Sequence, residues 1–271
     1  MPGVSHHDGA PANTTTVGRM SSWAVVTGAS GGLGEAYARE LAGQGSNVVL
    51  VARSVDKMEA LAAELTAAHG IETMILPCDL SDPAERSTLV AELDTLDIHT
   101  LVNNAGFGSM GMLGELARSR VVNEVELNVV ALTQLTHAVV PKMVASGRGT
   151  IINVASLAAF QPMPRMATYA ATKSYVLNFT SALWGEMEGT GVRVVCICPG
   201  PTETSFFDNA GNADVMKQRR SPEQVVATTF NALRAGKPYV VDGLGNTVLS
   251  KLSRFVPTPL LVRAAAWVGT R

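Results

Sequence analysis

Short, uninterrupted apolar runs alternate along this chain with longer stretches in which apolar residues recur every three or four positions. The runs are WAVVTG at 23–28, NVVLVA at 47–52, ETMILPCD at 72–79, HTLVNNAG at 99–106, GTIINVAS at 149–156, VRVVCICPG at 192–200 and PYVVDG at 238–243. They are too short to span a membrane and too uniformly apolar for strands with one wet face, so they predict parallel strands covered on both sides. Between them the spacing predicts helices at 32–44, over DKMEALAAELTAAHG at 56–70, within 118–146 and at 166–188. Such alternation defines an α/β fold, a doubly wound parallel sheet of about seven strands with helices on both faces. Right-handed crossovers place every strand's C-terminal end on one edge, where sheets of this kind bind ligands.

With 271 residues, 46% of them hydrophobic, the chain can bury one large core, expected over 21–245. Residues 1–20 are rich in Thr, Pro, Gly and Ala, lack the apolar core of a secretory signal and read as a disordered extension, with order beginning near Met20. His6 and His7 lie in that extension without a further ligand, so no metal is expected. Residues 246–271 form an amphipathic tail with scattered Lys251, Arg254, Arg263 and Arg271. Pro257 and Pro259 interrupt it, which favours packing on the domain or on a partner subunit over lying on a membrane surface.

Charge narrows the choice of partner. The 21 basic and 23 acidic residues leave no footprint for nucleic acid or an acidic membrane surface, so small molecules are the expected partners. No apolar run is long enough for a transmembrane helix. Of the three cysteines, Cys196 and Cys198 fall on one face of a strand and Cys78 stands apart, a pattern of buried thiols in a reducing, cytoplasmic setting.

Chemistry should then sit just after each strand. TGASGGLG at 27–34 follows the first strand and opens a helix. Glycines there let the backbone approach a pyrophosphate, and the helix N-terminus turns its free N–H groups toward it. The spacing departs from G-x-G-x-x-G, and glycine-rich turns also serve packing alone. No acidic residue lies between Glu40 and Asp56, so the carboxylate that would hold an unphosphorylated ribose is missing. Arg53 in LVARS stands there instead, as a fork suited to a ribose 2′-phosphate or as a solvated surface charge.

In YAATK, Tyr169 and Lys173 are one helical turn apart and share a face, and Ser156 ends the strand beside them. An ammonium about 6 Å from a phenol contributes about 2.8 kcal/mol at an effective dielectric near 20, so Tyr169 is expected to titrate roughly two pH units below 10. It would serve as general acid when a carbonyl is reduced and as base in reverse, while Ser156 bonds the substrate oxygen. Ordinary roles compete with these: such pairs are common on helices, Ser156 could cap a helix, and Asn128 could bond a helix neighbour.

Over about residues 22–245 the chain resembles the single-domain short-chain dehydrogenase/reductases. The resemblance rests on an ordered set: Thr27-Gly28 with Gly32 and Gly34, CDL with Asp79, NNAG at 103–106, Asn128 in ELNVV, Ser156, Tyr169 with Lys173, and PGPTET at 199–204. It implies a Rossmann-type catalytic domain with Asn128, Ser156, Tyr169 and Lys173 as the catalytic set and NADP(H) as cofactor. The cofactor would be held by Gly28, Ser30, Gly31, Gly32, Leu33, Gly34, Arg53, Asp79, Leu80, Asn104, Ala105, Gly106, Tyr169, Lys173, Pro199, Gly200, Thr202 and Thr204. Asp79 would accept from the adenine amino group and Asn104 would sit against the adenosine. Lys173 would hold the nicotinamide ribose, Asn128 would fix a water linking Lys173 to solvent, and Thr202 and Thr204 would line the carboxamide and pyrophosphate. Thr202 departs from the family's frequent aliphatic residue, which weakens the carboxamide contact. A homodimer or homotetramer is expected.

Substrate clues are apolar. Phe107, Met110, Met112, Met163, Met166, Phe206 and Phe207 follow the strands, forming either an adaptable wall for a hydrophobic ketone, aldehyde or secondary alcohol, or packing for a lid. The competing reading of the whole chain is a non-catalytic, dinucleotide-binding regulatory protein on the same fold.

Overall fold

The computed structural model describes residues 22–204, 219–253 and 255–268; the extension at 1–20 with Met20, His6 and His7, as well as Phe206, Phe207, Arg254 and Arg271, lie outside the described residues. One sheet contains β1 (Trp23–Thr27), β2 (Asn47–Ala52), β3 (Thr73–Pro77), β4 (Ile98–Asn103), β5 (Gly149–Val154), β6 (Val192–Cys198) and β7 (Tyr239–Val241). Its order is β3-β2-β1-β4-β5-β6-β7, with every pairing parallel. Helices α1 (Gly32–Gly43), α2 (Val55–His69), α3 (Pro83–Leu93), α4 (Arg118–Val125), α5 (Leu132–Ser146), α6 (Ala167–Glu186) and α7 (Pro222–Arg234) connect the strands. After β7 come α8 (Leu244–Leu252) and α9 (Thr258–Val268).

The uniformly apolar strands are explained by two cores. Ala24 and Val26 of β1 pack with Tyr37 and Leu41 of α1, Met58 of α2 and Phe230 of α7, whereas Trp23 and Val25 pack with Leu93 of α3 and Leu135 and Val139 of α5. Both parities of the strand are therefore buried, and each full burial of a Val or Leu side chain contributes about 1.5–3 kcal/mol. Cys196 and Cys198 share one cluster with Val176 and Leu177 of α6, as strand alternation predicts, and all three thiols are free.

Apolar spacing alone misses α3 and α7. Few of α3's residues are buried and apolar, and its signal lies at its start, where Asp82 accepts from the amides of Ala84 and Glu85 and Pro83 opens the first turn. The α7 start is a capping box of Ser221 and Gln224. The stretch 118–146 is helical but divided: a π-helical turn, Glu126–Ala131, separates α4 from α5 and reorients the side chains within it.

The tail packs partly on its own domain. A Cβ on Gly200 would collide with Asn246 of α8, so α8, which spans position 245, lies directly over the turn after β6. Ser250 and Ser253 are buried, while Leu244 and Phe255 are 88% and 84% exposed, so the other face of this region remains apolar and uncovered. Among the described residues no helix is long and apolar enough to cross a membrane.

Candidate active site

The strand order reverses between β1 and β4, and their C-terminal ends are laced together there. Thr27 Oγ1 donates to the Val102 carbonyl at 3.2 Å and accepts from the amides of Asn104 and Ala105, both at 3.0 Å. Asn104 Nδ2 donates to the carbonyls of Thr27 and Gly28, so this side chain shapes the glycine turn. Gly28 adopts φ 66°, and a Cβ on it would stand 2.8 Å from Asn104 Nδ2. A Cβ on Gly34 would strike the Gly28 carbonyl oxygen, which makes the first turn of α1 a tight cradle. Gly31 stands open before it, and no side chain caps the helix, so its first N–H groups face outward. Leu33 packs on the core, and Gly32 lies against the Thr204 methyl.

A cavity of about 570 Å³ extends from this cradle. Gly28, Ser30, Arg53, Asp79, Leu80, Ala105 and Gly106 line it, so these sequence-predicted residues converge on one space. Arg53 is largely exposed and its Nη1 lies 3.7 Å from Asp79 Oδ2. Burial pushes the Asp79 carboxyl up, but bonds from the Ser81 hydroxyl and amide, together with Arg53, hold it below the usual carboxylate value. Ser119, Arg120, Asn123 and Leu127 also line the cavity and were not singled out by the sequence, where nothing distinguishes this face of the 118–146 helix from its others.

The predicted trio is brought together at the adjoining edge. Lys173 is buried, donates to the Val154 carbonyl at 2.8 Å, and lies 5.8 Å from the centre of the Tyr169 ring. Ser156 stands two residues after β5 and does cap the short helix Leu157–Phe160, accepting from the Ala158 amide at 3.1 Å. That bond fixes Oγ while Ser156 also reaches the Tyr169 hydroxyl. Asn128, set by the π turn, accepts from the Phe107 amide and donates to the Phe107 carbonyl and to Thr172 Oγ1. Its amide therefore braces the loop after β4 against α6. Behind the trio, Asn103 donates to Asn153 and Asn153 to Thr180, a buried polar chain that locks β4, β5 and α6 in register.

One expectation is corrected. Burial pushes the Tyr169 phenol up to about 12, opposed by its bond with Ser156 and reinforced by the Glu124 charge. Burial likewise pulls Lys173 down to about 8, against the upward pull of Cys196, Cys198 and Glu124. Lys173 has therefore lost its proton before the phenol titrates, and an uncharged amine cannot draw the tyrosine down.

The remaining predicted residues frame the far side. The Pro199 carbonyl accepts from Leu157, Thr202 is buried and bonds the Gly200 carbonyl, and the Thr204 amide donates to the Thr202 carbonyl. Met110 and Met163 pack with Met166, Ala158, Ala170 and Tyr169, so one side of the tyrosine is apolar; Met112 is 54% exposed. No group of three or more His, Cys, Asp or Glu residues placed to hold a metal ion occurs among the described residues.

A glycine cradle at the reversal of a parallel sheet, beside a buried tyrosine and lysine, defines a dinucleotide-binding protein of the oxidoreductase class. The sequence matches the short chain dehydrogenase family over residues 22–214, and the chain belongs to that family. It is 34% identical over 186 residues to hydroxysteroid dehydrogenase-like protein 1 of Gallus gallus, covering 68% of this chain and 56% of that one. The chain thus spans little more than half of that relative's length. The human relative, described as inactive, is 32% identical over 187 residues. A 7beta-hydroxysteroid dehydrogenase of Collinsella aerofaciens is 32% identical over 221 residues, 79% of this chain and 84% of that one. The solved short-chain dehydrogenase from Sphingobium yanoikuyae in complex with NADPH superposes with TM-score 0.79 at 29% identity, covering 87% of this chain and 96% of that one.

Proposed function

We propose that the protein is an NADP(H)-dependent oxidoreductase that reduces an apolar ketone or aldehyde, or oxidises the corresponding secondary alcohol. The observation that carries this reading is the convergence of Ser156, Tyr169 and Lys173 on the sheet edge that also holds the glycine cradle and Arg53. The residues present fit the cofactor. The start of α1 has room for a pyrophosphate, since nothing lies within 4 Å of a Cβ on Gly31 and no side chain caps the helix, and the end of β2 offers Arg53 and Ser54 without a carboxylate. The NADPH held by the Sphingobium relative supports the same choice.

When bound, the nicotinamide supplies or accepts the hydride. Tyr169 donates the proton to the carbonyl oxygen, and a phenol held at about 12 carries that proton throughout the neutral range. Ser156, its lone pair engaged by Ala158 and its hydroxyl beside that of Tyr169, is placed to bond the same oxygen. Lys173 holds the ribose and Asn128 keeps the loop after β4 in place. Met110, Met163 and Met166 supply an apolar, adaptable wall, in keeping with the steroid named for the Collinsella relative. Free thiols fit a reducing cytoplasm, and the uncovered apolar face of α8 fits a homo-oligomer.

The test is to follow NADPH consumption over ketones and aldehydes of rising chain length and ring number. Consumption that improves with apolar size supports the reading. Tight NADPH binding with no turnover on any carbonyl would make the protein a dinucleotide-binding regulator.

A further inference from the structure

Residues 199–204 follow β6 and run from one half of the site to the other. At their start the Pro199 carbonyl accepts from the Leu157 amide at 2.8 Å, next to Ser156. At their end Thr204 stands against the glycine cradle, where a Cβ on Gly32 would come within 2.8 Å of its methyl. A cofactor whose pyrophosphate lies on α1 and whose hydride reaches a carbonyl at Ser156 and Tyr169 must carry its nicotinamide half along this strap.

Arg220 holds the middle of the strap. Its amide donates to the Pro201 carbonyl at 3.0 Å and its carbonyl accepts from the Glu203 amide at 2.9 Å, a parallel bridge opposite Thr202. Its guanidinium reaches Asp242 just past β7, with Nε 2.6 Å from Oδ2, as a close charge contact rather than an aligned hydrogen bond. Asp242 is a fixed anchor, its side chain 1% exposed. Its amide donates to the Cys198 carbonyl at 3.1 Å, and its Oδ1 accepts from Thr228 of α7 at 2.7 Å. Its carbonyl accepts from Asn246 of α8, the side chain that stands over Gly200.

A carboxylate buried with one neutral donor is costly unless a cation compensates it, and Arg220 supplies that cation. The pair is not needed to begin α7, because the capping box of Ser221 and Gln224 already does so. What only Arg220 adds is the join between the anchored charge and the two backbone bonds that carry Thr202.

We infer that Arg220 and Asp242 are positioning residues, an ion pair that fixes the strap 199–204 in the shape that receives the nicotinamide half of the cofactor. Neither touches the reacting atoms. The inference rests on the proposed NADP(H) chemistry and adds to it two residues outside the Asn, Ser, Tyr and Lys set. Its consequence is selective: the pair matters for the nicotinamide end of the cofactor and not for the adenosine end, whose 2′-phosphate is assigned to Arg53.

The test uses the full chain and two probes, NADPH and adenosine 2′,5′-bisphosphate, which keeps the adenosine and its 2′-phosphate but lacks the nicotinamide. Dissociation constants are measured for the wild type, Arg220→Gln, Arg220→Lys and Asp242→Asn. Arg220→Gln and Asp242→Asn should weaken NADPH by about tenfold, as when the strap holds its receptive shape about a tenth of the time, and leave the bisphosphate within about twofold. Arg220→Lys keeps the charge and should recover part of the NADPH affinity. Unchanged NADPH affinity, or equal loss for both probes, would overturn the inference, the second being what a general loosening of the fold produces. Where the single variants do not fold, Arg220→Gln combined with Asp242→Asn, which leaves no unpaired buried charge, is put to the same titrations. Failure of that double variant to fold would make the pair an element of the fold alone and overturn the inference. A wild type that binds NADPH and reduces no carbonyl would overturn the carbonyl reading and leave the inference standing; one that binds no NADPH would overturn both.

Discussion

Lys173 Nζ lies 5.8 Å from the centre of the Tyr169 ring and donates to the Val154 carbonyl at 2.8 Å. One side chain thus ties the helix bearing the tyrosine to the strand that leads into Ser156. The relative placement of Tyr169 and Ser156 is thereby built into the fold.

Replacing Tyr169 with Phe removes one hydroxyl and little packing. Turnover should fall by about two to four powers of ten, while NADPH binds within a few-fold of wild type. Single-turnover rates and NADPH fluorescence titration check this. A variant retaining more than about a tenth of wild-type chemistry would remove Tyr169 as proton donor.

Lys173→Met should stabilise the protein at neutral pH. The folded-state value near 8 is depressed from 10.5, so burying the ammonium costs stability in full below pH 8. Between pH 8 and 10.5 the folded protein has given up that proton while the unfolded chain keeps it, so the wild type recovers stability as pH rises. The Met variant should therefore melt higher at pH 7, by about 1–3 kcal/mol at most, and the gap should narrow by pH 10. Thermal melts of both proteins across that range decide the matter, and a gap that widens with pH would contradict it.

Arg53→Ala should weaken NADPH about 10- to 150-fold and barely affect NADH, because a hydrogen bond to a charged group contributes about 1.5–3 kcal/mol. The contact with Asp79 does not prevent this. At 3.7 Å, with the arginine largely exposed, that pair is a surface bridge, of a kind contributing about 0–1 kcal/mol, less than the phosphate offers. Equal loss for both cofactors would make Arg53 a general surface charge.

Gly34→Ala should both destabilise the fold and abolish cofactor binding, since its methyl would displace the Gly28 carbonyl. Overpacking of this kind costs about 1–3 kcal/mol. Gly31→Ala is the control: nothing lies within 4 Å of its Cβ position, and its melting temperature should stay close to wild type.

How much was legible depends on what each residue contacts. Strands buried on both faces announce themselves, and β1 with Ala24 and Val25 in opposite cores is the plainest case. Tyr169, Lys173 and Ser156 were legible because helix period and strand ends fix their neighbourhood. Glu124 was not, because its enclosure follows from how α4 meets α6 across the π turn, a tertiary fact without a local signal. The Tyr169 shift was misjudged for a related reason: distance to Lys173 could be read from spacing, whereas burial, which reverses the effect, could not.

The lacing of β1 to β4 also governs the order in which the molecule can be assembled. Val25 pairs with Val49 on one side but with Leu101 on the other, so the second pairing must wait for two more strands and helices to be made. Until then β1 presents an unpaired apolar edge, the situation in which nascent chains associate with one another. Long-range parallel pairings are slow to form, and the Thr27 bonds to Val102 and Asn104 can close only after this one. The dinucleotide cradle is therefore a late product of folding, and NADPH added to a refolding mixture selects for chains that have already closed this seam.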